Sequence, residues 1–118
     1  MEREYTFLTD LTDNIFIYYS INLDIDYLIV YVKLEYNEDY DKDIITTRAQ
    51  YSINQIKQML MSNLDISIFI FEKIMNEIKS RYGDLPINKK YLKFKQRFIS
   101  TLLYYYTSFI IDNLKNKK

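Results

Sequence analysis

The feature that most constrains this chain is the stretch from Asn88 to Leu114, which reads as one long helix with two unlike halves. Lys89 to Arg97 is basic and interleaved with aromatics, whereas Phe98 to Ile111 (FISTLLYYYTSFII) carries no charge. Asn88 is placed to cap the helix, and Ile87 can reach Leu92 as a hydrophobic staple. One apolar row runs Tyr91, Phe94, Phe98, Leu102, Tyr105 and Phe109; a second runs Leu92, Ile99, Leu103, Tyr106, Ile110 and Leu114. Spacings of three and four place each row on one face, and two adjacent rows predict a helix with neighbours on several sides. The uncharged run is shorter than the roughly 20 apolar residues of a membrane span, and it contains Ser100, Thr101, Thr107 and Ser108. It is therefore read as a core or subunit-contact helix.

Upstream, the period changes from helical to two. Ile15, Ile17, Tyr19, Ile21 and Leu23 alternate with Phe16, Tyr18, Ser20 and Asn22, and Leu28, Val30, Val32 and Leu34 alternate with Tyr27, Ile29, Tyr31, Lys33 and Glu35. Joined by the short turn Asp24-Ile25-Asp26, these runs predict an antiparallel hairpin whose outer face is rich in tyrosine. Glu2–Asp10 fits either a short strand or a packed arm, and Thr9 to Asp13 reads as a turn. Asn37–Asp43 reads as a solvated acidic loop. Its Asp39, Asp41 and Asp43 are spaced like the start of a calcium loop, but Ile44 stands where a glycine is needed and Gln50 where a glutamate is.

Between these regions, Ile44–Thr47 is expected as a third strand, followed by a helix from Arg48 or Ser52 to Met61 with Ile53, Ile56 and Leu60 inward. Both Thr47/Gln50 and Ser52/Gln55 have capping-box spacing. Ser62-Asn63 is expected to close that helix and to cap the next one. Leu64, Ile68, Phe71, Met75, Ile78 and Tyr82 then form a helical row, ended by Arg81, Gly83, Leu85 and Pro86. As a helix-turn-helix this region fails, because Asp65–Ile78 opens on Ile66, Ile68, Phe69, Ile70 and Phe71 and offers no early side chain for base edges. The expected fold is α+β: an N-terminal antiparallel β-hairpin or three-stranded sheet, then three helices, the last long and largely buried. Residues 1–118 are read as one domain, with 113–118 a frayed tail.

The chain contains no cysteine and no histidine, which removes disulfides, thiolate nucleophiles, the usual general base and the commonest metal ligand. Lys33 and Glu35 with Asp24 and Asp26 are the nearest thing to a carboxylate–lysine centre, and no spacing enforces it. A non-enzymatic protein is expected, with no catalytic residue, metal or cofactor. The charged Met1–Asp10 start has no signal-peptide core, so the expected location is cytoplasmic, with no membrane partner. Gly83, Pro86 and Ala49 are the only residues of their kinds. The usage is similar to that of AT-rich genomes, small viral proteins among them, and carries no motif.

Charge is balanced overall but divided along the chain. Up to Asp43 there are eleven acids and three bases, a net of −8; from Ile44 on there are five acids and thirteen bases, a net of +8. Lys89, Lys90, Lys93 and Arg97 occupy about a third of the helix circumference. They crowd a helix start, where the macrodipole disfavours each exposed cation by roughly 0.3–1 kcal/mol. A stripe kept there points to an anionic counterpart: the chain's own Glu35–Asp43 segment, an acidic protein, or nucleic acid. Tyr104, Tyr105 and Tyr106 point in three directions and cannot all enter one core, so a homodimer contact is expected among them. The functional expectation is a small protein–protein interaction or modulator protein, dimeric, of viral or mobile-element type acting on host machinery. A nucleic-acid-binding regulator is the alternative.

Overall fold

The computed structural model describes residues 3–38, 41–62 and 65–115. It is an α+β fold, with four strands β1 (Arg3–Thr12), β2 (Ile15–Leu23), β3 (Tyr27–Glu38) and β4 (Asp41–Ser52), then helices α1 (Ile53–Met61), α2 (Ile66–Tyr82) and α3 (Lys89–Lys115). The strands form an antiparallel meander in the order β1-β2-β3-β4, which leaves β1 and β4 as the two edges.

The alternation of β2 and β3 sets the layers. Ile17, Tyr19, Ile21 and Leu23 lie on the buried face with Leu28, Val30, Val32 and Leu34, and β4 adds Ile45, Thr47 and Tyr51. All three helices cover this face. The opposite face carries Phe16, Tyr18, Ile29, Tyr31 and Lys33, each half-buried by its neighbours along and across the strands. At the β2–β3 turn the Asp24 N–H donates to the Tyr27 carbonyl at 2.9 Å, so Ile25 and Asp26 close the hairpin without glycine.

Four strands replace the expected two or three. Glu2–Asp10, ambiguous in sequence, belongs mostly to β1, which pairs with β2 from Arg3↔Leu23 to Thr12↔Ile15 with a register shift between Asp10 and Thr12. The turn after it is confined to Asp13 and Asn14. The acidic loop is shorter than expected, because β3 runs to Glu38 and β4 begins at Asp41, with Asn37 paired to Lys42. Long strands prevail here because each polar position is needed on the solvated side of a ladder whose other side is core. Asp39 and Tyr40 lie outside the described residues.

The helix starts follow their caps. Ser52 caps α1 in a complete capping box: its hydroxyl accepts from the Gln55 N–H at 3.2 Å, and the Gln55 side chain accepts from the Ser52 N–H at 2.7 Å. β4 therefore runs directly into α1, and the alternative box at Thr47 is part of the strand. Of the expected inward row of α1 only Ile56 is fully buried, whereas Leu60 is 41% exposed. Asp65, not Asn63, caps α2, accepting from the Ile68 N–H. Leu64 lies outside the described residues. The buried face of α2 is Ile66, Ile70 and Ile74 together with Phe71, Met75 and Ile78, so Ile68 turns outward. At its end Gly83 has φ 113° and ψ −165°. This positive-φ conformation lies in a region open essentially to glycine alone, as the placement of Gly83 at the helix end implies.

The first apolar row of α3 is buried throughout, from Tyr91 to Phe109. The second is not: Leu92, Leu103 and Leu114 are about half exposed, and Ile99, Tyr106 and Ile110 lie against the margin of the core. The helix thus has neighbours on the sheet side and on the side of α2 and α1, while the second row lies at the margin of this packing. Helix geometry continues to Lys115, past the point where fraying was expected, with the Asn113 amide donating to the Phe109 carbonyl at 2.9 Å. Residues 116–118 lie outside the described residues.

Candidate functional site

Three tethers fix how α3 lies beneath β1 and β2. The Asn88 side chain caps the helix by accepting from the Tyr91 N–H at 2.9 Å, and its amide donates to the Leu11 carbonyl at 2.9 Å. The helix start is thereby tied to the end of β1. Further along, Tyr19 packs its ring against Phe94 and Phe98, with centroids at 5.7 and 4.7 Å. Thr101 gives its hydroxyl proton to the Arg97 carbonyl at 2.7 Å, so the 3.3 Å bond between Thr101 and Tyr19 is donated by the tyrosine.

Two charged contacts on the flank show that α3 runs antiparallel to β1 and nearly in line with it. Lys90 meets Asp10 at 2.8 Å, and the Arg97 guanidinium stacks 4.0 Å from the Phe7 ring centroid. Seven helical residues and three strand residues each advance about 10 Å, so helix and strand stay in step over this distance. Between them opens a groove of about 600 Å³ lined by Phe7, Leu8, Thr9, Asp10, Lys90, Lys93, Phe94, Gln96, Arg97 and Ser100.

The structure brings together three of the four cations of the predicted stripe. Lys90, Lys93 and Arg97 line the groove, and Lys89 projects to solvent one turn before Lys93. Among the described residues, Lys90 of the stripe takes Asp10 as its counter-ion, and part of the expected Glu35–Asp43 segment lies outside the described side chains. Glu35 is engaged instead by Lys33 at 3.2 Å and Lys42 at 3.3 Å on the opposite face of the sheet. Hydrogen bonding to Lys90 holds the Asp10 carboxyl below its ordinary range, and hydrogen bonding to Lys33 does the same for Glu35.

The tyrosine cluster separates as helical geometry requires. Tyr105 is buried, Tyr106 sits at the core margin and Tyr104 is 63% exposed. Around Tyr104 the same end of α3 exposes Leu103, Ile111 and Leu114. On the uncovered sheet face Tyr18 meets Tyr31 edge-on at 6.1 Å, with the Lys33 ammonium 5.2 Å from the Tyr18 ring centroid. The carboxylate–lysine grouping dissolves, since Lys33 and Glu35 neutralise each other and Asp24 accepts from the Ile25 N–H within the turn. Among the described residues no three His, Cys, Asp or Glu side chains gather as a metal site. Among them, too, no helix is long and apolar enough to cross a membrane.

A second, smaller cavity of about 190 Å³ lies at the β4 edge beneath α2, lined in part by Thr47, Tyr51, Lys73 and Glu77. The Thr47 hydroxyl donates to the Glu77 carboxylate, while the Tyr51 hydroxyl is buried with no partner. Burial raises the Tyr51 phenol above its ordinary range, and the Glu77 charge adds to the effect.

Sequence reasoning did not place Phe7, Leu8, Thr9 or Asp10 in the site. Their period-two signal is present, but an edge strand mixes polar and apolar residues on both faces and so lacks a clean stripe. No protein-family model, curated protein or solved structure matches the chain.

Proposed function

We propose that this is a small non-enzymatic interaction protein that binds an acidic macromolecule through the groove between β1 and α3. The observation that carries the reading is the row Lys89, Lys93, Arg97 along one face of α3, opening at the unfavourable end of the helix macrodipole, while the carboxylate that lines the groove, Asp10, bonds to Lys90. Folding alone gains little from cations at that position; an anionic partner gains a row of charge-assisted contacts. The reading includes a homodimer through the exposed end of α3, because Leu103, Tyr104, Ile111 and Leu114 are exposed, uncharged side chains grouped around a tyrosine.

A nucleic-acid-binding regulator is the second reading, favoured by Tyr18 and Tyr31 on the uncovered sheet face with Lys33 and Arg48 beside them. It ranks second because these two rings already contact each other and Lys33, and because Glu35 shares that face. Fluorescent polyglutamate and single-stranded DNA and RNA oligonucleotides, titrated with the protein at low salt, separate the two. Binding to polyglutamate that weakens with salt supports the first reading. Retention on the oligonucleotides alone transfers the assignment to the second.

A further inference from the structure

We propose that the occupant of the groove is an extended acidic peptide that adds to β1 as a fifth strand, with its carboxylates at alternate positions. The inference rests on the reading of the groove as the binding site for an acidic partner, and it specifies that partner's conformation and charge spacing.

The edge of β1 is available where the groove lies. β1 is the first strand of the sheet, so one side of it has no strand neighbour. At its end this side is blunted: Asn88 takes the Leu11 carbonyl, and the register shifts between Asp10 and Thr12. Among the described residues, Thr6 to Thr9 pair with β2 on one side and with no strand on the other. This run contains no proline and no lysine, the residues that usually guard an edge. The other edge of the sheet is treated differently, since Arg81 donates to the Thr46 carbonyl of β4 at 2.6 Å and α2 packs against that strand.

The spacing of the cations matches a strand. Lys89, Lys93 and Arg97 are each four residues apart, about 6 Å of helix rise. Alternate residues of a strand are about 6.8 Å apart and point to the same side. α3 runs in line with β1, so a strand paired to β1 would present every second side chain to the flank of α3. Carboxylates at positions i, i+2 and i+4 of that strand then meet successive cations. Its intervening side chains fall on the Leu8 side of the sheet, where Leu8 is 61% exposed. Main-chain pairing supplies affinity and the alternating charges supply register.

Two other occupants fit less well. The chain's own end, with Lys115, Lys117 and Lys118, has the wrong charge. A second copy pairing β1 to β1 about Phe7 sets Glu4 opposite Asp10, like charge against like.

The test uses two synthetic peptides of equal composition and about eight residues, one with Glu alternating with Val and Thr, the other with its Glu residues contiguous. Binding is followed by fluorescence anisotropy, and β1 by amide hydrogen exchange. The expected result is that the alternating peptide binds about tenfold tighter, slows exchange within Thr6–Thr9, and loses binding when its backbone amides are N-methylated. Equal binding of both peptides, weakened by Lys89→Glu with Lys93→Glu but without protection of β1, overturns strand addition and leaves the acidic-partner reading standing. Binding of neither peptide, or preference for single-stranded RNA, overturns both. Protection of β1 that rises with protein concentration in the absence of peptide assigns the edge to a second copy and overturns the proposal.

Discussion

Among the described residues, Tyr51 and Asn22 each bury a side-chain polar atom without a hydrogen-bond partner, and Tyr51 is the one beside a cavity. Its side chain closes the inner face of β4, and its hydroxyl is buried without a partner beside the cavity that Glu77 lines. A buried, unpaired hydroxyl costs about 1–3 kcal/mol, so Tyr51→Phe is expected to stabilise the protein by about 1 kcal/mol in urea denaturation. The same residue shapes the pH dependence. Burial raises Tyr51 and Tyr91 above the ordinary value of 10.0. Stability from keeping these phenols neutral is present below about pH 10 and is lost as the pH rises through their folded values. Asp10 and Glu35 are lowered from 3.8 and 4.5, so their contribution is present above those values and is lost as the pH falls through the lower folded ones. Denaturation midpoints across pH should therefore show a plateau that falls at both ends. In Tyr51→Phe the alkaline fall should be shallower.

At the level of elements, the terminations carry most of the information. Gly83 closes α2 with φ 113°, its N–H donating to the Lys79 carbonyl at 2.7 Å. A Cβ there meets nothing within 4 Å, so Gly83→Ala should cost only the backbone strain, about 1–3 kcal/mol, measured as a lowered urea midpoint with an unchanged slope. This boundary was legible in sequence, as were the Ser52–Gln55 box, the Asn88 cap, the two central strands and the buried row of α3. Each is a local pattern, although for the box the sequence offers Thr47 and Gln50 as a second placement. The rest depended on distant partners. β1 could not be told from an arm, because its pairing with β2 is what makes it a strand. The second row of α3 has the same periodicity as the first, and only the width of the sheet decides which of them is covered. The basic stripe was readable from helical spacing, but its companion, the open edge of β1, follows from sheet order, which no local pattern encodes.

Across the whole molecule, charge and surface are divided in a consistent way. The acidic first part of the chain supplies β1, β2 and β3, and the basic second part supplies most of β4 and the helices. The two meet along the β1–α3 flank through the Lys90–Asp10 pair. Toward the far end of α3 the exposed described side chains Leu103, Tyr104, Ile111 and Leu114 are uncharged. Light scattering over a range of concentrations should show a dimer that Tyr104→Glu dissociates while the fold persists; a monomer at every concentration would remove the dimer from the account. The central claim is that Lys89 and Lys93, at and beside the groove, serve a partner and not the fold. It is tested most directly by replacing Lys89 and Lys93 together with glutamate and measuring both melting temperature and polyglutamate binding. If the claim holds, binding is lost and its salt dependence with it, while the melting temperature stays level or rises, because an acid at Lys89 now complements the helix dipole. Unchanged binding by the double variant, or a folded state that collapses without these two lysines, would contradict it.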